Sequence, residues 1–254
     1  MPLTAPAQVL ISRRVYKQNG PSYQQIWNYN PADGALQPLT HSAHTHSQPT
    51  CSSNGKTILF VSPADGLPGA KRWSFNRATG VERVISNQRV IHPAAEENHG
   101  TAECPVSARA RDLLACASGR EVILFRNQAQ ITRARVAKQN LRIEKLSWSP
   151  SREWLLVGTL GENSNSSSPQ SDYYALDVLS RKVLPIGSGN SGLWIPGKTA
   201  VLYTTPRELM PLPAPSKHSV WISHVVSFDP TTKKTADITS GLTNDTDLSV
   251  CAAR

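Results

Sequence analysis

The chain has 254 residues, of which 18% are charged and 39% hydrophobic, a balance that excludes a disordered chain and a coiled coil. Its length suits one large domain or two small ones, and is enough to bury a core without metal or disulfide support. The net charge of +9 favours anionic ligands without choosing among them, and no apolar run reaches the ~18 residues of a membrane span.

From the amino terminus onward, short apolar strands alternate with turns. AQVLISRRVY (7–16) reads as a strand, and YQQIWNYNPADGALQPLT (23–40) as a strand, an Ala-Asp-Gly turn and a second strand. SSNGKTILFVS (52–62) is a polar turn followed by an apolar strand, and AKRWSFNRATGVERVIS (70–86) is a hairpin. The pattern returns in SARARDLLACAS (107–118) with GREVILFRNQAQITRARV (119–136), and in SPSREWLLVGT (149–159) with SDYYALDVLSRKVLPIGS (171–188). Its last copy is IPGKTAVLYTT (195–205) with HSVWISHVVSFDPTTKKTADITS (218–240). Two loops interrupt the repeat: the polar GENSNSSSPQ (161–170) and the proline-stiffened PRELMPLPAPSK (206–217). Nothing between these segments has sustained helical periodicity.

Each repeat therefore supplies a leading strand, an apolar strand and a hairpin, making four antiparallel strands. Repeats of this kind around an axis build a β-propeller. The first copy lacks its leading strand, and the leftover DTDLSVCAA (245–253) fills that place, closing the ring and removing an exposed edge. The expected architecture is an all-β, single-domain five-bladed propeller of four-stranded blades. Its blades are 1–40 plus 243–254, 41–87, 88–138, 139–188 and 189–242.

Cys51, Cys104, Cys116 and Cys251 have no zinc-site spacing. Cys104 and Cys116 flank a strand-turn-strand segment and would pair only in an oxidising compartment; buried free thiols are the plainer expectation. Trp148 and Trp194, at the innermost-strand position of their repeats, are expected to pack between blades. Arg133 and Arg135 share one strand face, expected at a solvated outer edge. No exposed aromatics accompany that basic strip, so a nucleic-acid partner is not expected.

WSPSREWLLVGT (148–159), CSSNGKTILFVS (51–62) and LQPLT (36–40) resemble the TolB-type propeller repeat, in which Ser-Pro-Asp-Gly-Lys precedes an apolar strand and the hairpin ends in Leu-Thr. The resemblance covers most of the chain. The third repeat departs from it, with Val106 at an aromatic position and Arg109 at the Asp, and five repeats depart from the six of the name-giving family.

Propellers bind ligands where the segments entering the innermost strands converge. Aligned on Cys51, Val106, Trp148, Trp194 and Val250, the position three residues earlier holds Gln48, Glu103, Lys145, Ser191 and Asp247, all polar. Five of the seven histidines lie in two entry segments, HSAHTHSQP with His41, His44 and His46, and IHPAAEENHGTAE with His92 and His99. In an extended segment His44 and His46 point to one side and can reach one ion. Imidazoles with a carboxylate such as Glu103 or Asp247 suit a divalent transition metal: zinc, manganese, nickel or iron. A solvated histidine loop is the plain alternative.

HSAHTHSQPTCSSNGKTILFVS (41–62) is similar to the metal-binding stretch of oligogalacturonate lyases. The resemblance implies that His44 and His46 are ligands, with His41 at a position that holds Gln in that family; His99 is the candidate from another blade. It implies β-elimination at a uronate, with the metal on the carboxylate and His99, His92 or Lys145 as base. The same residues could instead activate water for hydrolysis of esters, lactones or phosphoesters, and a non-catalytic binding propeller is the other class. An anionic small molecule or oligosaccharide is the expected partner, and the chain is expected to be a monomer. Its compartment would be periplasmic or secreted if a signal peptide was removed, and cytoplasmic otherwise.

Overall fold

Period-two patterning becomes sheet throughout. The computed structural model describes residues 7–17, 20–63, 70–86, 104–136, 138, 140–161, 170–212 and 218–251, and among them there is no helix. Five four-stranded sheets form, each in the meander order of a propeller blade. In the first, Thr243–Cys251 pairs antiparallel with Gln8–Val15, which is followed by Gln24–Tyr29 and Leu36–Pro38. The carboxy-terminal segment thus takes the edge place left open by the first repeat. Ser47–Cys51, Thr57–Pro63, Ala70–Asn76 and Glu82–Ser86 make the second sheet. The third comprises Val106–Ala110, Leu113–Ser118, Glu121–Arg126 and Ala129–Arg135; the fourth comprises Leu141–Trp148, Trp154–Gly161, Ser171–Asp177 and Val183–Gly189. Gly192–Trp194, Val201–Thr204, Val225–Asp229 and Lys234–Asp237 form the fifth.

Contacts group the described residues into two compact units. One takes those within Met1–His92, Arg207–Val226 and Asp237–Arg254, the other those within Pro93–Pro206 and Ser227–Ala236. Each has its own core, because one face of every sheet is apolar. In the first unit Leu10, Ile26, Ile58, Phe60 and Phe75 are buried together with Cys251. In the second, Ala115, Val122 and Leu124 of the third sheet pack on Leu155, Val157 and Leu176 of the fourth.

The hairpins share one turn chemistry. Asn30, Asn76, Asp177 and Asp229 accept the N–H of Ala32, Ala78, Leu179 and Thr231 on their side chains. Their carbonyls accept from Gly34, Gly80, Arg181 and Lys233, all left-handed with φ between 58° and 76°. The third sheet departs here too, turning on Asn127 and Gln128 with φ of 48° and 70°, a two-residue type I′ loop. The Leu-Thr ending also has a cause: buried Thr40 and Thr239 use their hydroxyls to accept the N–H of Ile26 and Val225.

Two expectations need correction. The plain reading of free thiols fails, since all four cysteines are bonded as Cys51–Cys251 and Cys104–Cys116, with Cα–Cα distances of 5.2 and 5.3 Å. Adjacent innermost strands bring the first pair together, a pairing that sequence spacing hides. The proline-stiffened loop holds a strand, Glu208–Pro211, which pairs with Ser219–Ile222 as a separate ribbon, so HSVWISHVVSFD is two strands rather than one. Asp245 lies inside Thr243–Cys251 and is wholly buried. As expected, Ala129–Arg135 is the outermost strand of its sheet, and Arg133 there is exposed beside Glu121 at 3.5 Å.

Trp148 and Trp194 do pack between sheets. The Trp148 indole donates to the carbonyl of Ala108 at 3.0 Å and the Trp194 indole to that of Ser147 at 2.8 Å, each reaching the innermost strand of the preceding sheet.

Candidate functional site

The segment between the first and second sheets, residues 41–46, carries three of the predicted ligands. It is pinned at both ends. Thr40 holds its start against Ile26, and the His46 N–H donates to the carbonyl of Gln24 at 2.6 Å. Its middle is pinned by Glu82 on the outermost strand of the second sheet. One carboxylate oxygen of Glu82 accepts the His41 N–H at 3.1 Å, and the other accepts the Ser42 hydroxyl at 2.9 Å. Ser42 Oγ in turn lies 3.3 Å from His46 Nε2.

His46 is the most constrained member. Its side chain has no exposed surface, its ring centroid lies 4.4 Å from that of Phe60 and 5.6 Å from that of Trp73, and its Nδ1 is buried with no hydrogen-bond partner. Burial pulls its pKa down to about 4, against the attraction of Glu82 and with some help from His44, so the ring is neutral at physiological pH. His44 is its neighbour at 6.5 Å between centroids, and His44 also faces Trp73 at 5.5 Å. The two imidazoles therefore do approach one another from alternate positions of one segment.

With metal–nitrogen bonds of ~2.0–2.1 Å, two imidazoles on one ion bring their centroids to roughly 5 Å, so closing this pair requires about 1.5 Å of approach. An orphaned, neutral, buried nitrogen is the donor such an ion needs. His44 and His46 thus offer imidazoles of the donor type a divalent transition metal takes, set wider apart than one shared ion would hold them. Among the described residues no group of three or more His, Cys, Asp or Glu side chains is arranged to hold a metal ion. His92, Glu96, Glu97, His99 and Glu103 lie outside the described residues.

The other predicted residues have visible attachments. Asp247 accepts the backbone N–H of Gln48, which is left-handed at φ 52°, and a hydroxyl hydrogen bond from Thr246, each at 3.1 Å. Gln48 and Asp247 occupy equivalent positions of their repeats, so this one pair of the aligned polar positions meets on neighbouring strands. Lys145, at the same position in the fourth sheet, belongs to the other unit and donates to the carbonyl of Gly192 at 2.8 Å. Its side chain reaches solvent yet is surrounded by protein, and that crowding lowers its ammonium pKa. The glycine directly opposite, Gly158, leaves room for it: a Cβ there would stand 3.2 Å from Lys145 Cβ and from the ring of Tyr173.

Three groups escaped the sequence. Ser42 sits within the histidine segment itself, but only the fold reveals its contacts. Glu82 is 36 residues beyond His46 and carried no signal. Arg13 pairs with buried Asp245 directly across the closing strands at 3.6 Å and lies over the Trp27 ring at 5.0 Å. Burial lowers the Arg13 pKa and raises that of Asp245, each partly offset by the other's charge. Thr239 and Thr243 also donate to the Asp245 carboxylate.

No family model and no curated protein matches this sequence. Solved structures similar to the chain include TolB from Acinetobacter baumannii, at 11% identity over 93% of this chain and 53% of that one, with a TM-score of 0.30. An oligogalacturonate lyase in complex with manganese is similar at 10% identity over 84% of this chain and 58% of that one, with a TM-score of 0.32. A protein provisionally designated TolB from Agrobacterium tumefaciens has 10% identity over 97% and 98% of the two chains, with a TM-score of 0.40. The chain spans little more than half the length of the first two.

Proposed function

We propose that the five sheets are the blades of one propeller ring, closed by Thr243–Cys251, with a metal-dependent site built on residues 41–46. The reading is an enzyme on an anionic substrate, with β-elimination on uronate-containing oligosaccharides as its reaction. The observation that carries it is His46: a buried, neutral imidazole beside His44, held by Ser42 and Glu82, with Nδ1 unpartnered. Zinc, manganese, nickel or iron would be held by His44 and His46. His41, and beyond the described residues His99 or Glu103, are the candidates to complete the set.

When bound, such an ion would neutralise the uronate carboxylate and stabilise the charge that develops as the C5 proton leaves. The chain's own residues supply the rest. Phe60 and Trp73 exclude water from the His46 ring. Lys145 remains a candidate base from the sequence alone. His99 and His92 are the alternatives for that role. The charge of +9 draws a polyanionic substrate to the protein. Two disulfides favour an oxidising compartment, periplasmic or secreted.

Elemental mass spectrometry on the purified chain tests the reading. We expect about one transition metal per chain, lost in His44→Ala/His46→Ala while circular dichroism stays unchanged. Oligouronides should then develop new absorbance near about 235 nm with the loaded chain. Hydrolysis of esters or phosphoesters in its place would reassign the site to a hydrolase. No metal after reconstitution with zinc, manganese and nickel would leave a binding propeller.

A further inference from the structure

We infer that Ser42 and Glu82 are positioning residues: through one hydrogen-bond chain they hold His46 as the Nε2–H tautomer, so that Nδ1 is the nitrogen offered to a ligand. The inference rests on the proposed metal site only for what that ligand is.

Proton counting along the chain leads to it. The Ser42 hydroxyl donates to Glu82 Oε2 at 2.9 Å, so its hydrogen points at Glu82. A hydroxyl has one hydrogen. Ser42 Oγ therefore meets His46 Nε2, at 3.3 Å, as an acceptor, and the proton between them belongs to the imidazole. With the proton at Nε2 and no acceptor for a second one at Nδ1, Nδ1 keeps a bare lone pair. Nδ1 has no partner in the protein and no solvent, although buried nitrogens are ordinarily satisfied.

The opposite tautomer fails on two counts. It would bury an N–H at Nδ1 with nothing to receive it, and it would set two lone pairs against one another at Ser42. Rotation to relieve this is blocked by Phe60 on one ring contact and Trp73 on another. Glu82 is fixed in turn, because its second oxygen holds the His41 N–H at 3.1 Å. One carboxylate on the outermost strand of the second sheet thus orients both the entry segment and the histidine it carries. Outer partners of this type set which nitrogen of a ligating histidine is available.

The test is two-bond proton–nitrogen correlation NMR on the metal-free full chain with nitrogen-15-labelled histidine, where the pattern of ring couplings distinguishes the tautomers. Wild type should hold His46 as Nε2–H. Ser42→Ala should convert it to a mixture or to Nδ1–H, and Ser42→Thr, which keeps the hydroxyl, should restore it. Glu82→Gln should also disturb it, because an amide N–H facing Ser42 turns the hydroxyl round. An Nδ1–H tautomer in wild type, or an unchanged Nε2–H in Ser42→Ala, overturns the inference. Zinc titration followed in the same spectra supplies the second arm. The His46 resonance that moves should be Nδ1, and Ser42→Ala and Glu82→Gln should weaken zinc roughly 10–100-fold while Ser42→Thr stays near wild type. Zinc bound through Nε2 also overturns it. A wild-type chain with the Nε2–H tautomer that binds no zinc removes the metal reading and upholds the orientation of His46.

Discussion

The two compact units join their sheets differently at one equivalent place. In the second, a tryptophan on an innermost strand reaches back to a backbone carbonyl of the preceding sheet, from Trp148 to Ala108 and from Trp194 to Ser147, over 40 and 47 residues of chain. In the first, the same position is Cys51, and its link to the neighbouring innermost strand is covalent, to Cys251 across 200 residues. The sequence separations explain the choice. Consecutive sheets are neighbours by connectivity, so a hydrogen bond and a buried ring suffice. The sheet completed by the carboxy terminus joins distant parts of the chain, where loop-closure entropy is greatest and a cross-link removes most from the unfolded ensemble.

The sharpest way to break this comparison is to remove the covalent link. A loop of this length carries ~5 kcal/mol in the chain-entropy model. Cys51→Ala/Cys251→Ala should therefore lower the unfolding free energy by about 3–5 kcal/mol in non-reducing urea titrations. Cys104→Ala/Cys116→Ala, which opens a separation of only 12 residues, should lose about 2–3 kcal/mol. Equal losses would discard the loop-length explanation.

Acid should expose a second asymmetry, because buried His46 belongs to the first unit. Its folded pKa of about 4 lies below the unfolded 6.5, so the unfolded chain takes the proton more readily between those values. Stability should fall as pH drops from 6.5 towards 4, by at most about 3 kcal/mol for this residue. The raised Asp245 pKa acts in the opposite sense, since its unfolded carboxyl ionises first. Subtracting the pH profile of His46→Gln from that of the wild type isolates the histidine. A flat difference would show that the ring is not desolvated.

Smaller effects sharpen the non-covalent side. Trp148→Phe and Trp194→Phe each keep a ring and lose one indole hydrogen bond, for about 1–2 kcal/mol apiece, with the greater loss at the more buried Trp194. At the hairpins, Arg181 occupies the left-handed position that Gly80 fills in the second sheet. Arg181→Gly should leave stability unchanged or raise it by up to ~1 kcal/mol, and a clear loss would mean that the exposed guanidinium has a contact of its own.

Most strands were legible because each had to bury one face, and alternation such as that in EVILFR (121–126) leaves no other solution. The hairpins were legible in their turns, such as Ala32-Asp33-Gly34, whereas the side-chain caps of Asn76 and Asp229 came only with the structure. The innermost place of Thr243–Cys251 followed from counting strands. Register across sheets was not legible: Cys51 and Cys251 meet only because two innermost strands lie side by side. Nor was the ribbon of Glu208–Pro211 with Ser219–Ile222, where Pro211 and the exposed Leu209 and Trp221 give no burial pattern to read. At the histidines, His44 and His46 came from spacing, whereas Glu82 came from nothing local. A residue on an outer strand is brought to an entry segment by tertiary packing, and one sequence does not encode that in its periodicity.

The Arg13–Asp245 pair has a meaning for a chain emerging from the ribosome. Gln8–Val15 is made long before its partner Thr243–Cys251. At ~5–20 residues per second, one edge of that strand waits roughly 10–50 s for its hydrogen bonds. An apolar strand left open so long would recruit other chains, and a charge on its inward face discourages them. Arg13 is such a charge during synthesis. Once Asp245 arrives opposite it, the same guanidinium becomes a buried, paired group, and the guard on the open edge becomes part of its seal.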